Sequence, residues 1–397
     1  MPLEWPEYNI SGYSADLHVH IGSSNGKAVK VTGSPSLTFK NIIKECQERK
    51  GVDIVGIVDC LAPPVLSEIS ELIQKEYILE LPGGGLQWDG ITIIPGCELE
   101  VAAGEGVAHC LCFFPDLDRI MSFASRIGKY IKNLNISTPR CHMPLADLVK
   151  ATLDGGGIFV PAHVFTPFKS FYGSCTHSLK KILAKYFDEI YAVELGLSAD
   201  ADMADMIKEL NTKAFLSNSD AHSLNKIGRE FNVLKMNKPD FSELVMALQN
   251  RNGRCVLGNF GLNPKLGKYH RTYCMDCHSV VEGMPPKYQC DKCGSSHVVI
   301  GVFDRLMAIR DQDVVHPLSR PPYIYNVPLE FIPGIGKVTQ EKLLRHFRSE
   351  LYILYMATFE ELKGVAGSKA AENIIKVRNG LSTVKAGGGG IYGHISV

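Results

Sequence analysis

The residues best suited to chemistry begin with Asp16-Leu17-His18-Val19-His20, where one apolar residue separates two imidazoles. On an extended strand this spacing sends both rings to one face, and Asp16 with them. Further imidazoles and carboxylates follow at Asp59, Glu98, His109 and His163 and in Ser219-Asp220-Ala221-His222. Imidazole and carboxylate are ligands of zinc, manganese and magnesium ions. A single buried polar group finds a hydrogen-bond partner easily. Burying this many near one another requires compensation, which bound cations supply. Adjacent divalent ions lower the pKa of a shared water and stabilise charge on phosphoryl oxygens, so the set fits phosphoester hydrolysis. No Ser–His–Asp arrangement or activated cysteine is needed. Gly334-Ile335-Gly336-Lys337-Val338-Thr339 lacks the Gly-Lys-Ser/Thr ending of a Walker phosphate loop.

Residues 1–263 must position this set, and they alternate strand-like with helix-like segments. Residues 36–50 read as a helix with Ser36 as N-cap and Gly51 as the stop. Residues 52–58 read as a buried strand ending at Asp59, and 91–94 as another running through Pro95-Gly96 to Glu98. Residues 107–114 carry His109, 157–160 lead to His163, 191–195 carry Glu194, and 213–216 lead to Asp220 and His222. Helix-like stretches at 178–187 and 201–210 intervene. Polar residues at the ends of apolar strands predict an α/β fold, a βα barrel with its site on the C-terminal rim. A doubly wound sheet would not so readily gather ligands from this many strands.

The totals set bounds. Lys plus Arg, 42, equals Asp plus Glu, 42, so net charge points to no partner. There is no apolar run of about 18 residues, and Met1-Pro2-Leu3-Glu4-Trp5 does not resemble a signal peptide. The expectation is a soluble cytoplasmic protein with no membrane partner. Cys46, Cys60, Cys97, Cys110, Cys112, Cys141, Cys175 and Cys255 are scattered, many in apolar runs, and read as reduced core residues.

The other four cysteines form two knuckles, Cys274-Met275-Asp276-Cys277 and Cys290-Asp291-Lys292-Cys293. Such a pair closes a tetrahedral thiolate site around one structural zinc and folds a segment too small for its own core, here residues 264–300. Two disulfides are the alternative, which a reducing compartment disfavours. Tyr269-His270-Arg271-Thr272-Tyr273 and Lys287-Tyr288 place basic and aromatic groups beside it, suited to nucleic acid or to packing. Residues 301–328 read as an extended linker, and 386–390 as a flexible tail.

Residues 329–397 hold two glycine-bearing turns. Ile332-Pro333-Gly334-Ile335-Gly336-Lys337 resembles a helix–hairpin–helix unit, and Leu362-Lys363-Gly364-Val365-Ala366-Gly367-Ser368-Lys369 a looser copy. In that family, backbone N–H groups at the start of the second helix grip a DNA phosphate, with glycine permitting close approach. Two ordinary αα turns are the alternative, and their tandem occurrence favours DNA.

Asp16-Leu17-His18-Val19-His20, Asp59, Pro95-Gly96-Cys97-Glu98, His109, Pro161-Ala162-His163 and Ser219-Asp220-Ala221-His222 resemble the successive motifs of the polymerase and histidinol phosphatase (PHP) family. The resemblance implies a distorted barrel whose rim binds two or three divalent metals (Zn, Mn or Mg). His18, His20, Glu98 and Asp220 would hold one. Glu98, bridging, with His109 and His163 would hold a second, and His222 would belong to a third. The implied catalytic groups are Glu98, Asp220 and His222. Cys60 and Asn25 stand where that family often has histidine, so the third site uses Asp59, is weaker, or is vacant. Glu194 is either a further site residue or a salt-bridged rim carboxylate.

The order of barrel, zinc module and helical tail resembles the endonuclease Q family over residues 14 to about 330, with the tandem hairpins fitting a bacterial-type extension. Pro161–Pro167, Asn218–Ser223 and Ile227-Gly228-Arg229-Glu230-Phe231 add to the match. The resemblance implies DNA repair: hydrolysis 5′ of a deaminated base (uracil, hypoxanthine, xanthine) or an abasic site, with DNA as partner and replication or repair proteins as candidate partners. A target nucleotide would have to leave the stack to reach a rim pocket. Asn218 and Ser223 are candidates to read its edge and Arg229 to contact phosphate. A loop-stabilising role is the alternative for each. A small-molecule phosphatase, or a DNA-binding protein with a decayed barrel, are the rival readings.

Overall fold

The computed structural model describes residues 3–5 and 10–397. Met1 and Pro2, which open the stretch unlike a signal peptide, lie outside them.

Strand β1 (Ile10–Val19) pairs in parallel with β2 (Ile54–Ile57), whose four residues are all buried. Burial on both faces explains why β2 reads as an unbroken apolar run. β3 (Ile91–Ala103) continues the parallel set. It then turns back as β4 (Gly106–Phe113), antiparallel, followed by β5 (Ile158–Pro161), also antiparallel. β6 (Ala192–Glu194) and β7 (Ala214–Leu216) form a parallel pair. β8 (Phe231–Lys235) lies antiparallel to both β1 and β9 (Cys255–Gly261). The hydrogen-bonded order is β5-β4-β3-β2-β1-β8-β9; β6 packs beside β5 and β7 beside β9, which closes the ring.

The barrel is therefore distorted, as expected, with several antiparallel pairs. The largest departure from a strand-end pattern is the β3–β4 hairpin. β3 runs through Pro95-Gly96 as expected but does not end at Glu98: it continues to Ala103, so Glu98 sits in mid-strand opposite Leu111, and Glu100 opposite His109.

Helix α1 (Phe39–Glu45) continues as one π-turn, Cys46–Lys50, and ends at Gly51. Its N-cap is Thr38, not Ser36: the Thr38 hydroxyl accepts from Asn41 N at 3.3 Å. Ser36 is used in the preceding turn, where its hydroxyl meets Ser34 Oγ at 2.8 Å. The stretches 178–187 and 201–210 form short α-helical pieces, Leu179–Leu183 and Ala201–Ala204, joined by 3-10 turns.

Ala15, Leu17, Ile54, Ile94, Leu111, Val160 and Leu216 share one core with Phe241 and Leu244 of α2 (Phe241–Leu248). Phe39, Ile42, Val55, Ile57 and Ile93 belong to a second. Each such Val, Leu, Ile or Phe side chain contributes about 1.5–3 kcal/mol on burial. Among the scattered cysteines all are free thiols, and all but half-buried Cys255 are buried.

The four-cysteine segment is zinc ribbon-like, and in it Tyr273–Cys274 pairs with Val298–Val299. The expected linker is not extended. It holds α3 (Val302–Ile309) and β10 (Tyr323–Tyr325), which joins the main sheet parallel to β9. Fully buried Asp304 of α3 accepts from Arg271 Nε at 2.9 Å and Thr272 N at 3.0 Å. Arg320 forks onto Asp205 and stacks 3.4 Å over the Phe215 ring. These contacts fasten a segment whose prolines alone suggested a spacer.

The C-terminal helices are α4 (Lys337–Phe347), α5 (Glu350–Tyr355), α6 (Phe359–Ala366) and α7 (Ser368–Arg378). Leu329, Leu343, Leu351 and Leu354 share a core with Phe231, Val233 and Phe260 of the barrel. A buried Lys50–Glu350 pair at 2.5 Å crosses this contact. Lys50 also donates to Asn225 O, and Glu350 accepts from Leu329 N, so both charges are compensated. The tail is ordered into a hairpin, β11 (Thr383–Lys385) with β12 (His394–Ser396). Among the described residues no helix is long and apolar enough to cross a membrane.

Candidate metal centre and nucleic-acid interface

The end of β1 carries His18, and His20 follows directly after it, both fully buried. The segment after β7 runs alongside, with Ala221 bridged to Val19, and this puts Asp220 against the two rings. Asp220 Oδ1 lies 3.6 Å from His18 Nε2 and 3.4 Å from His20 Nε2. Glu98 reaches the same nitrogens at 3.7 and 3.5 Å. Its other neighbours are His109 Nδ1 at 2.8 Å and His163 Nε2 at 3.3 Å. Four ligands about 2.1 Å from one tetrahedral ion stand about 3.4 Å apart, so these spacings suit divalent ions.

Three groups of ligand atoms converge: His18, His20 and Glu98; His20, Asp220 and His222; and Glu98, His109 and His163. Glu98 is common to the first and last, as a bridging carboxylate would be. The His222 group shares His20 with the first and adds Asp220. Two further observations fit cations. His18 Nε2 and His109 Nε2 are buried without a hydrogen-bond partner among the described residues. Burial disfavours a proton on His18, yet the carboxylates of Glu194, Asp220 and Glu98 overrule it and raise its pKa to about 10. Glu98 and Asp220 are held well below the usual carboxylate range, burial being outweighed by the surrounding imidazoles.

A supporting layer orients these groups. Glu194, at the end of β6, places Oε2 3.0 Å from His18 Nδ1. It also accepts from Asn218 Nδ2 at 2.8 Å and from His163 N at 3.1 Å. Of its two readings, the geometry fits a carboxylate that fixes a ligand histidine. Asp59 is not with the ligand atoms. Its Oδ2 accepts from Ile21 N at 2.7 Å and meets His20 Nδ1 at 3.1 Å, so it stands behind His20. Asp16 likewise accepts from Ser219 N and Gly228 N, anchoring the Asp220 segment. His163 and Asp220 have positive φ, 29° and 46°, a strain that non-glycine residues keep where function demands it.

Two candidate DNA contacts, Asn218 and Arg229, line the cavity over the cluster, but their polar groups are engaged within the fold. Asn218 is buried, and its Oδ1 accepts from Leu17 N at 3.0 Å and Asn232 Nδ2 at 3.1 Å. With Nδ2 on Glu194, its amide is committed to the fold, which matches the loop-stabilising alternative. Arg229 is also buried, and donates to Ser219 O at 2.8 Å and to the Tyr392 hydroxyl at 2.9 Å. Ser223 lies at the cavity edge with its hydroxyl on Asn225.

Sequence reasoning missed Lys30 and Thr138. Lys30 Nζ stands 3.2 Å from His20 Nε2 and 3.7 Å from Glu98, and donates to Thr138 Oγ1 at 2.9 Å. Thr138 Oγ1 donates to Glu98 Oε2 at 2.5 Å. Neither lies in a motif with metal-ligand spacing, so only the fold reveals them.

A cavity of about 610 Å³ opens over the cluster. Glu98, His163 and Asp220 form part of its lining, Lys268 and Tyr269 come from the stretch that leads into the zinc ribbon-like module, and Tyr392 from the tail. In that module the four cysteines converge, with Sγ–Sγ distances of 3.6 Å (Cys274–Cys293) and 3.5 Å (Cys277–Cys290). Thiolates around one zinc at about 2.3 Å stand about 3.8 Å apart.

The glycine turns lie on the exposed face of the helical region. Gly334 has φ 84° and Gly336 is the N-cap of α4; Gly367, φ 83°, is the N-cap of α7. Neither helix start has a side-chain cap, which leaves backbone N–H groups for an anion beside Lys337 and Lys369. Asn373 Nδ2 donates to Pro333 O at 2.8 Å and ties the two turns together. Two details differ from expectation. The element before the first turn is a single 3-10 turn, Leu329–Phe331. Gly364 falls inside the last turn of α6, so the second turn is made by Gly367.

A family model described as PHP-associated matches residues 201–252. The uncharacterized protein YqxK of Bacillus subtilis (strain 168) is 43% identical over 387 residues, which covers 96% of this chain and 98% of that protein. The crystal structure of the lesion-specific endonuclease PfuEndoQ from Pyrococcus furiosus superposes with a TM-score of 0.82 at 31% identity, covering 97% of this chain and 95% of that one. A complex of endonuclease Q with a 27-mer duplex bearing an abasic lesion at the active site gives the same TM-score and identity, covering 97% and 96%. Likeness at this level does not stop near residue 330: it spans the barrel, the zinc ribbon-like module and the helical region together, so the helical region is no bacterial-type extension, and the chain belongs to the endonuclease Q family.

Proposed function

We propose that the chain is a divalent-metal-dependent DNA endonuclease that cuts at damaged nucleotides. The observation that carries this reading is the cavity, to which the barrel, the stretch that leads into the zinc ribbon-like module and the tail all contribute lining residues. A small-molecule phosphatase would give the last two no task. The volume, about 610 Å³, is within the roughly 300–1,000 Å³ of sites that enclose a small ligand, and is enough for an extruded nucleotide.

His18, His20, Glu98 and Asp220 would hold one ion, and Glu98, His109 and His163 a second. Cys274, Cys277, Cys290 and Cys293 would hold a structural zinc. Bound divalent ions supply a water of lowered pKa and charge stabilisation at the phosphate. The chain's own groups do the rest. Glu194 and Asp59 set the tautomers of His18 and His20, Arg229 and Asp16 hold the Asp220 segment, and Lys30 and Thr138 fix the Glu98 carboxylate. The helix starts at Gly336 and Gly367 would grip backbone phosphates of the flanking duplex, independently of sequence.

The endonuclease Q structure with an abasic lesion supports an abasic site as one substrate. Deaminated bases, cut on the 5′ side to leave a 3′-hydroxyl, are the others that family membership supports. The test uses end-labelled duplexes that differ at one position: abasic, uracil, hypoxanthine or undamaged. Nicking next to the lesion alone is expected. Equal nicking of the undamaged strand would reduce the protein to a general nuclease. No nicking, with rapid phosphate release from small phosphomonoesters, would favour the phosphatase.

A further inference from the structure

The glycine-rich tail has no part in metal binding or in the phosphate grip, yet it is stitched into the site. Gly387 N donates to Lys265 O at 2.8 Å, Gly393 N to Leu266 O at 2.9 Å and Gly390 N to Lys268 O at 3.3 Å. Only glycine fits at 389, where φ is 60° and a Cβ would sit 2.4 Å from the Tyr273 ring. The tail thus lies along the stretch that leads into the zinc ribbon-like module, and Tyr392 is delivered to the cavity that holds Glu98, His163 and Asp220.

Tyr392 is fixed there. Its hydroxyl accepts from Arg229 Nη1 at 2.9 Å, and Lys268 Nζ lies 4.7 Å from the ring centroid. Arg229 in turn holds Ser219 O at 2.8 Å, next to Asp220. Arg229 Cζ and the Phe331 ring also flank the Tyr392 ring, at 5.8 and 6.4 Å from its centroid. A half-buried aromatic ring lining a cavity, with the Lys268 ammonium at hand, is a surface for a flat ring next to a phosphate.

We propose that Tyr392 is the wall on which an extruded nucleobase stacks, so that the tail hairpin is a specificity element of the site. The proposal rests on the endonuclease reading. Stacking asks only for a π-face, so one tyrosine can serve pyrimidine and purine lesions alike. An abasic site has no base to stack and is indifferent to the ring.

Single-turnover cleavage of three duplexes, bearing uracil, hypoxanthine or a stable abasic analogue, tests this. Tyr392→Ala should slow cutting at both base-bearing lesions roughly 5- to 150-fold, the equivalent of about 1–3 kcal/mol of base–aromatic stacking. Abasic cutting should be unchanged. Tyr392→Phe keeps the ring and loses only the bond to Arg229, and should act as wild type on all three. An equal loss on the abasic duplex would make Tyr392 a support for Arg229 and overturn the proposal, as would no loss on any duplex. A wild-type protein that cuts none of the three overturns the endonuclease reading itself.

Discussion

Changing Glu194 to glutamine alters one atom, but that atom sits among hydrogen-bond donors alone. His18 Nδ1, Asn218 Nδ2 and His163 N all donate to this carboxylate. A proton on Nδ1 leaves the His18 Nε2 lone pair facing Glu98 and Asp220, where an ion would sit. Glutamine offers one oxygen and one NH2. With the oxygen toward His18 and Asn218, the NH2 meets the His163 N–H, donor against donor. In the opposite orientation the NH2 faces His18 and Asn218, and His18 must move its proton to Nε2 and lose its ligand lone pair. Asn218 cannot turn to help, because Leu17 N and Asn232 Nδ2 already use its oxygen. Each arrangement leaves a buried donor unpaired, at about 1–3 kcal/mol. Metal affinity should fall about 10- to 100-fold, as when other groups that orient ligand histidines are removed. Competition against a chelating dye measures this apart from cleavage. Wild-type affinity in Glu194→Gln would refute the tautomer argument.

Three further outcomes are expected. Cys274→Ser should release one zinc by metal analysis and raise hydrogen exchange in residues 264–300 while the barrel stays protected; full zinc retention would exclude the thiolate site. Lys337→Gln with Lys369→Gln should weaken binding to duplexes of any sequence and lower the salt slope by about 1 per lysine, whereas an unchanged slope would place both lysines off the phosphates. Burial raises the Glu230 pKa from 4.5 to about 8, so the native carboxyl keeps a proton that the unfolded chain loses. Its stabilising effect is full below pH 4.5 and is lost as pH rises through about 8, at about 1.4 kcal/mol per pH unit between. Glu230→Gln should flatten that fall in chemical-denaturation stability between pH 5 and 8, and an identical pH profile would show that Glu230 does not cause it.

The alternation in His18-Val19-His20 and the clustering of carboxylates after apolar runs carried the site, because ligand chemistry needs specific side chains at positions that strand geometry fixes. Supporting roles were less visible. Asp59 and Glu194 have the same carboxylate as a ligand, and only distance tells an atom behind a histidine from one in front of it. Asn218 and Arg229 lie beside ligands in sequence, yet their polar groups turn into the fold. Residues 301–328 read as a spacer because β10 has only three residues, and its pairing with β9 is a long-range contact. The tail illustrates the same limit: its glycines suggest flexibility, but against the zinc ribbon-like module they permit close packing.

The most direct measurement is cleavage of a duplex carrying one abasic site by protein stripped with a chelator, as a divalent metal is titrated back and the bound ions are counted. The account predicts no nicking without metal, recovery as the rim sites fill, and a folded but inactive Asp220→Asn or His163→Ala at every metal concentration. Full nicking by the stripped protein, or near wild-type turnover by either variant, would contradict it.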